Sequence, residues 1–212
     1  MPEEPLLYYE EIPGKRPDSP VLILLHGLGA NEQDLLPLVD YIARGWHAIS
    51  VRAPFQTEFG GYAWYSFIQG AGPEASSYKQ GVKELAAFLE DAHKSNPNAK
   101  MVTLGFSQGA LMALSAATLR ISGFVGVAAL SGYLPPDDML PAPLDRLRGY
   151  SVFQTHARND LMLSFALAEK ARDRLTKAGA DLTWLEHDSG HSIPLSALDR
   201  LGTWLARAGG SE

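Results

Sequence analysis

Apolar positions along the chain fall into two alternating patterns. Short aliphatic and β-branched runs occupy Val21 to Leu25, His47 to Val51, Met101 to Gly105, Phe124 to Leu130, Ser151 to His156 and Leu182 to His187. They show little strict alternation, which suits strands covered on both faces. Between them, amphipathic spacing predicts helices over Glu32 to Arg44, Ser77 to Lys94, Gln108 to Leu119, Ser164 to Lys177 and Pro194 to Ala208. Their ends carry recognisable stop and start residues. Asn96-Pro97 closes one helix, Gly179 follows the basic end of another, and Pro194 is placed for a first turn, where a missing N–H does least harm. Strands taken in turn with helices predict a mostly parallel central sheet with helices on both faces, because parallel neighbours need a helical return. An extended Leu6 to Ile12 is expected to add an antiparallel edge.

Length and composition narrow this picture. The 212 residues carry no internal repeat and no Ser/Gly linker, so a single domain over 1–212 is expected. A net charge of −6 argues against a nucleic-acid surface, whose phosphates call for a basic footprint. The absence of Cys excludes disulfides, a thiolate nucleophile and zinc-thiolate sites. No apolar run approaches the roughly 20 residues of a bilayer-spanning helix, so no integral membrane association is expected. Met1-Pro2-Glu3-Glu4-Pro5 is acidic where a secretory leader would be basic, which favours a cytoplasmic location. One stretch resists the alternating pattern. Arg52 to Ser76 has little period and many aromatics, among them Phe55, Phe59, Tyr62, Trp64, Tyr65 and Phe67. Segments of that length without regular structure are usually functional or disordered.

The chemistry concentrates around Gly105-Phe106-Ser107-Gln108-Gly109. A Gly-x-Ser-x-Gly by itself also occurs as a flexible serine loop. Here it directly follows a predicted strand and opens a helix rich in Ala110, Ala113, Ala116 and Ala117, the setting in which a serine is held on a tight turn above a sheet edge. A serine hydroxyl needs a base to take its proton and an acid to orient that base. His191, in the loop between the last strand and the last helix, is the favoured base; its rival His187 lies at a strand end, where the ring can simply pack. Asp160 follows Ser151 to His156 at the carboxyl end of the sheet, where ligands gather in open α/β folds. Asp137 and Asp138 are the rival acids, with solvated turn positions as their plainer reading. The spacing of His187 and His191 lacks the His-Glu-x-x-His pattern, so no metal is expected. Acyl transfer also requires amides that stabilise a developing oxyanion. Gln108, which follows the serine and opens a helix, supplies one candidate N–H; Leu28, between glycines in His26-Gly27-Leu28-Gly29, supplies the other. His26 is expected to brace that loop.

These residues, with Arg52-Ala53-Pro54, Ala63-Trp64-Tyr65, Leu130-Ser131-Gly132-Tyr133-Leu134-Pro135 and Gly190-His191, resemble the phospholipase/carboxylesterase family of α/β-hydrolases, which includes acyl-protein thioesterases and small bacterial carboxylesterases. The resemblance runs from Leu25 to His191. It implies a serine carboxylesterase with Ser107, Asp160 and His191 as triad, Leu28 and Gln108 as oxyanion donors, and no cofactor. The chain departs from the thioesterase pattern at Ala30-Asn31-Glu32 and at Leu161-Met162-Leu163-Ser164, both beside the substrate, so protein-thioesterase specificity does not follow. Sheet, helices and loops leave no length for a lid domain. The aromatic segment is expected to wall the acyl pocket, with Trp64 and Tyr65 contacting a short- to medium-chain ester, beside Leu161, Met162 and Leu163. Thioesters and lysophospholipids belong to the same expectation, a hydrolase-fold receptor with negligible turnover is the alternative, and a homodimer is compatible with the chain.

Overall fold

The computed structural model describes residues 7–68 and 72–210. Its strands and helices follow in chain order: β1 (Tyr9–Ile12), β2 (Val21–Leu25), α1 (Val39–Ile42), β3 (His47–Val51), β4 (Phe55–Gln56), β5 (Tyr62–Ala63), β6 (Phe67–Ile68), β7 (Gly72–Pro73), α2 (Ala75–Ser95), β8 (Met101–Phe106), α3 (Gln108–Ala117), β9 (Phe124–Leu130), β10 (Ser151–Ala157), α4 (Phe165–Ala178), β11 (Asp181–His187) and α5 (Leu195–Gly209). Seven strands form one sheet in the order β1-β3-β2-β8-β9-β10-β11. All neighbours are parallel except β1, which pairs antiparallel with β3 as the edge. Leu6, where the sequence reading begins that edge, lies outside the described residues.

The missing alternation in the central strands has a direct cause: both sheet faces are covered. In β2 all five residues are fully buried; Val21, Ile23 and Leu25 join one core, while Leu22 and Leu24 join the other. Helices α2, α3 and α4 supply the first core through Val82, Leu85, Leu111, Met112, Ala171 and Leu175. Helices α1 and α5 supply the second through Val39, Ile42, Leu198, Leu201 and Leu205. The amphipathic spacing of α5 thus aims one stripe at the sheet and leaves the other in solvent.

One predicted element is corrected. Instead of a helix over Glu32 to Arg44, the chain forms a 3₁₀ turn at Leu36–Leu38 followed by the four-residue α1. The Asn31 side chain accepts the Gln33 amide at 2.8 Å, competing with helical pairing, and Pro37 has no N–H to give. The helical spacing of Leu35, Val39 and Ile42 is nevertheless used, since all three are buried. Pro194 stands one residue before α5 rather than within its first turn. The aromatic stretch after Arg52 is two small antiparallel pairs, β4 with β5 and β6 with β7.

Candidate active site

The strand β8 delivers the chain to Ser107, whose φ of 53° and ψ of −116° lie outside the ordinary wells of an L residue. That turn is possible because the two flanking glycines remove side chains from a tight crossing. A Cβ on Gly105 would stand 2.0 Å from the Gly109 carbonyl oxygen, and one on Gly109 would stand 2.1 Å from the Leu25 carbonyl oxygen. Strand and helix therefore meet at backbone distance, and Ser107 is the residue left at the crest. Its N–H donates to the Leu130 carbonyl at 2.9 Å, tying the crest to β9.

Loops from the same carboxyl edge bring the partners. His191, after β11, has Nε2 at 3.0 Å from Ser107 Oγ and Nδ1 at 2.7 Å from Asp160 Oδ2. Asp160, after β10, also accepts the Met162 and Leu163 amides on Oδ1, at 2.8 and 2.9 Å. Burial pushes the Asp160 carboxyl up, but the His191 hydrogen bond and those two amides outweigh it and hold the pKa below the usual 3.8. An ionised Asp160 fixes the proton of His191 on Nδ1 and leaves Nε2 free to accept from the serine hydroxyl. The structure thus brings Ser107, His191 and Asp160 into one hydrogen-bonded line. The rivals stand elsewhere. Asp137 is exposed and paired with Arg174, and His187 is buried with Nδ1 accepting the Ser189 amide at 3.3 Å.

Leu28 and Gln108 line the same cavity as Ser107, and among the described residues neither backbone amide is found donating to a protein acceptor. The Leu28 loop is braced as expected of His26: Nδ1–H donates to the Gly27 carbonyl at 2.7 Å, and Nε2 accepts the Ala53 amide at 3.1 Å. Both ring nitrogens are committed, and burial lowers the pKa of this imidazole. A ladder with β5 adds to the brace, the Gly29 amide donating to Tyr62 O at 2.9 Å and the Tyr62 amide to Ala30 O at 2.8 Å.

A cavity of about 340 Å³ opens above Ser107, lined by Leu28, Tyr65, Phe67, Phe106, Leu111, Tyr133, Met162 and Leu163 together with Gly27, Gln108 and His191. Tyr65 takes the lining place that the sequence suggests. Trp64 does not reach the cavity: it is fully buried, and its indole N–H donates to the His26 carbonyl at 2.9 Å, which puts it beneath the Leu28 loop. Leu161 is also absent from the wall, being 97% exposed, whereas Met162 and Leu163 belong to it.

Three groups near the site escape sequence reading. The Gln108 carboxamide accepts the Trp64 amide and donates to the Tyr65 carbonyl, each at 2.9 Å, so the residue after the serine also anchors the aromatic wall. His156 donates from Nε2 to Leu163 O at 2.9 Å and lies 3.4 Å from Asp160 Oδ2. Glu32, 3% exposed, makes a two-point pair with Arg52, whose guanidinium lies 4.1 Å from the Tyr8 ring centre and 4.7 Å from that of Tyr62. The only sequence signal for any of them is proximity to a motif.

The chain is 24% identical to acyl-protein thioesterase 1 of Yarrowia lipolytica, covering 97% of both chains. It is 26% identical to the hydrolase MhqD of Bacillus subtilis, named as putative, covering 89% of this chain and 93% of that one. Among solved structures, the Bacillus cereus carboxylesterase superposes with a TM-score of 0.84 at 27% identity, over 95% of this chain and 94% of that one. Acyl-protein thioesterase 2 of Zea mays shares the fold, with a TM-score of 0.78 at 20% identity over 95% and 98%. The sequence profile of Phospholipase/Carboxylesterase matches residues 8–208. On that match over nearly its whole length, the chain belongs to the phospholipase/carboxylesterase family of α/β-hydrolases.

Proposed function

We propose that this family member is a serine carboxylesterase that cleaves short- to medium-chain esters through an acyl-Ser107 intermediate. The observation that carries the reading is the unbroken line from Ser107 Oγ through His191 to Asp160, opening on an apolar cavity. His191 Nε2 takes the serine proton as Oγ attacks the ester carbonyl, and the Leu28 and Gln108 amides receive the oxygen as it becomes negative. The tetrahedral centre collapses, the alcohol leaves with the proton from His191, and water repeats the sequence to free the acid. A cavity near the small end of the about 300–1,000 Å³ typical of ligand sites supports a modest acyl chain. The names of the fungal relatives add acyl thioesters to the substrates worth measuring.

A fluorophosphonate should label Ser107, and labelling elsewhere or not at all in folded protein refutes the reading. A nitrophenyl ester series from acetate to palmitate, with an acyl thioester and a lysophospholipid, ranks the substrates. Ser107→Ala and His191→Ala should each lower kcat by on the order of 10⁶, and the pair together by little more. Asp160→Asn, which removes the orienting acceptor of His191, should cost about 10⁴.

A further inference from the structure

The cavity carries polar side chains that the proposed hydrolysis does not use. Of its five polar lining residues, Ser107 and His191 bond to each other, and Gln108 is committed at both ends to the backbone of Trp64 and Tyr65. The remaining two are Tyr65 and Tyr133. These residues are only 2% and 9% exposed, yet neither hydroxyl has a hydrogen-bond partner among the described residues. Neither oxygen is among the buried, unpartnered side-chain atoms of the described residues, which include those of Ser131, Gln154 and His156. Tyr78 stands directly behind, its ring 5.0 Å from that of Tyr65, and there the fold does satisfy a buried phenol, through Ser115 Oγ. Burial raises the pKa of Tyr65 and Tyr133, so both present an O–H donor at neutral pH.

An aliphatic acyl chain that displaced water from these hydroxyls would leave two donors unpaired, a penalty of about tenfold in affinity for each. A chain bearing an acceptor oxygen would meet them instead. Sites built to hydrogen-bond a substrate group discriminate against the analogue without it more sharply than apolar pockets discriminate by size. We infer that the preferred acyl group carries a hydrogen-bond-accepting oxygen remote from the scissile carbonyl, a keto, ether or hydroxyl oxygen received by Tyr65 and Tyr133. This rests on the acyl-Ser107 reading and specifies its substrate class.

The test compares kcat/KM for 4-nitrophenyl 5-oxohexanoate with the hexanoate, and for the 6-oxoheptanoate with the heptanoate. In the better-matched pair the oxo ester should lead by about tenfold or more. Tyr65→Phe and Tyr133→Phe should each shrink that ratio, and the double variant should bring it to one or below. An apolar wall alone would favour the plain ester. Turnover of all four esters with no oxo preference, or a preference unmoved in the double variant, overturns the inference while the ester-hydrolase reading stands. Turnover of none, with Ser107 unlabelled by fluorophosphonate, overturns both.

Discussion

Gln108 shows how much can rest on one residue. Its backbone amide is the donor proposed for the developing oxyanion, and its side chain holds Trp64 and Tyr65 by two hydrogen bonds. Replacing it with Ala leaves the Trp64 amide and the Tyr65 carbonyl without partners, a loss of about 1–3 kcal/mol for a buried unpaired group. Gln108→Ala should therefore lower the denaturation midpoint and raise KM, because the wall proposed to receive the acyl group is released; an unchanged KM in a destabilised variant would confine the side chain to a packing role. The backbone role proposed for Gln108 is legible in the sequence, since it follows from its place after the serine and at a helix start. The side-chain role is not, because its partners are 44 and 43 positions away and are main-chain groups that leave no trace in residue type. Trp64 fails to declare itself for a related reason: an aromatic residue suits a ligand wall and a buried support equally, and only the His26 carbonyl decides between them.

At the level of elements, the glycines of the serine turn explain why this strand and helix sit so close. Gly109→Ala places a methyl 2.1 Å from a main-chain oxygen that belongs to the central sheet and cannot yield. The cost should reach or exceed about 3 kcal/mol, the upper part of the overpacking range, in urea unfolding. Gly60→Ala is the contrasting case: its φ of +86° is strained for a Cβ, but nothing lies within 4 Å, so about 1–2 kcal/mol is expected. Equal effects would refute the steric account. Strands and long helices were readable because burial imposes its period on them; in α2, Tyr78, Val82, Leu85, Phe88 and Leu89 mark the inward face. The stretch before β3 was not, because Leu35, Val39 and Ile42 keep helical spacing while Asn31 and Pro37 reroute the backbone between them. The small pairs β4 with β5 and β6 with β7 are two residues per strand, too short for any period to show.

Across the whole molecule, two buried imidazoles tie stability to pH. Burial lowers the pKa of His26 below its ordinary 6.5, and burial together with the nearby His156 does the same to His187. A base whose folded pKa is depressed takes its proton more readily in the unfolded chain, so its stability contribution is complete above about 6.5 and shrinks as pH falls below that value. Asp160, held below 3.8, contributes in the same direction only at far lower pH. The melting temperature should therefore be level between about pH 8 and 7 and fall between about 6.5 and 5, with a shallower fall in His187→Gln. A profile that rises towards acid pH would contradict this assignment. The joint made by Gln108 carries a last consequence, for how such a hydrolase can diversify. Because one side chain joins the serine turn to the cavity wall, changes of appetite for new esters should be easiest at Phe67, Met162 and Leu163, which border the cavity and whose side chains form no bond to Ser107, His191 or Asp160 among the described residues. A laboratory selection for bulkier esters should accumulate substitutions there and leave Gln108 untouched.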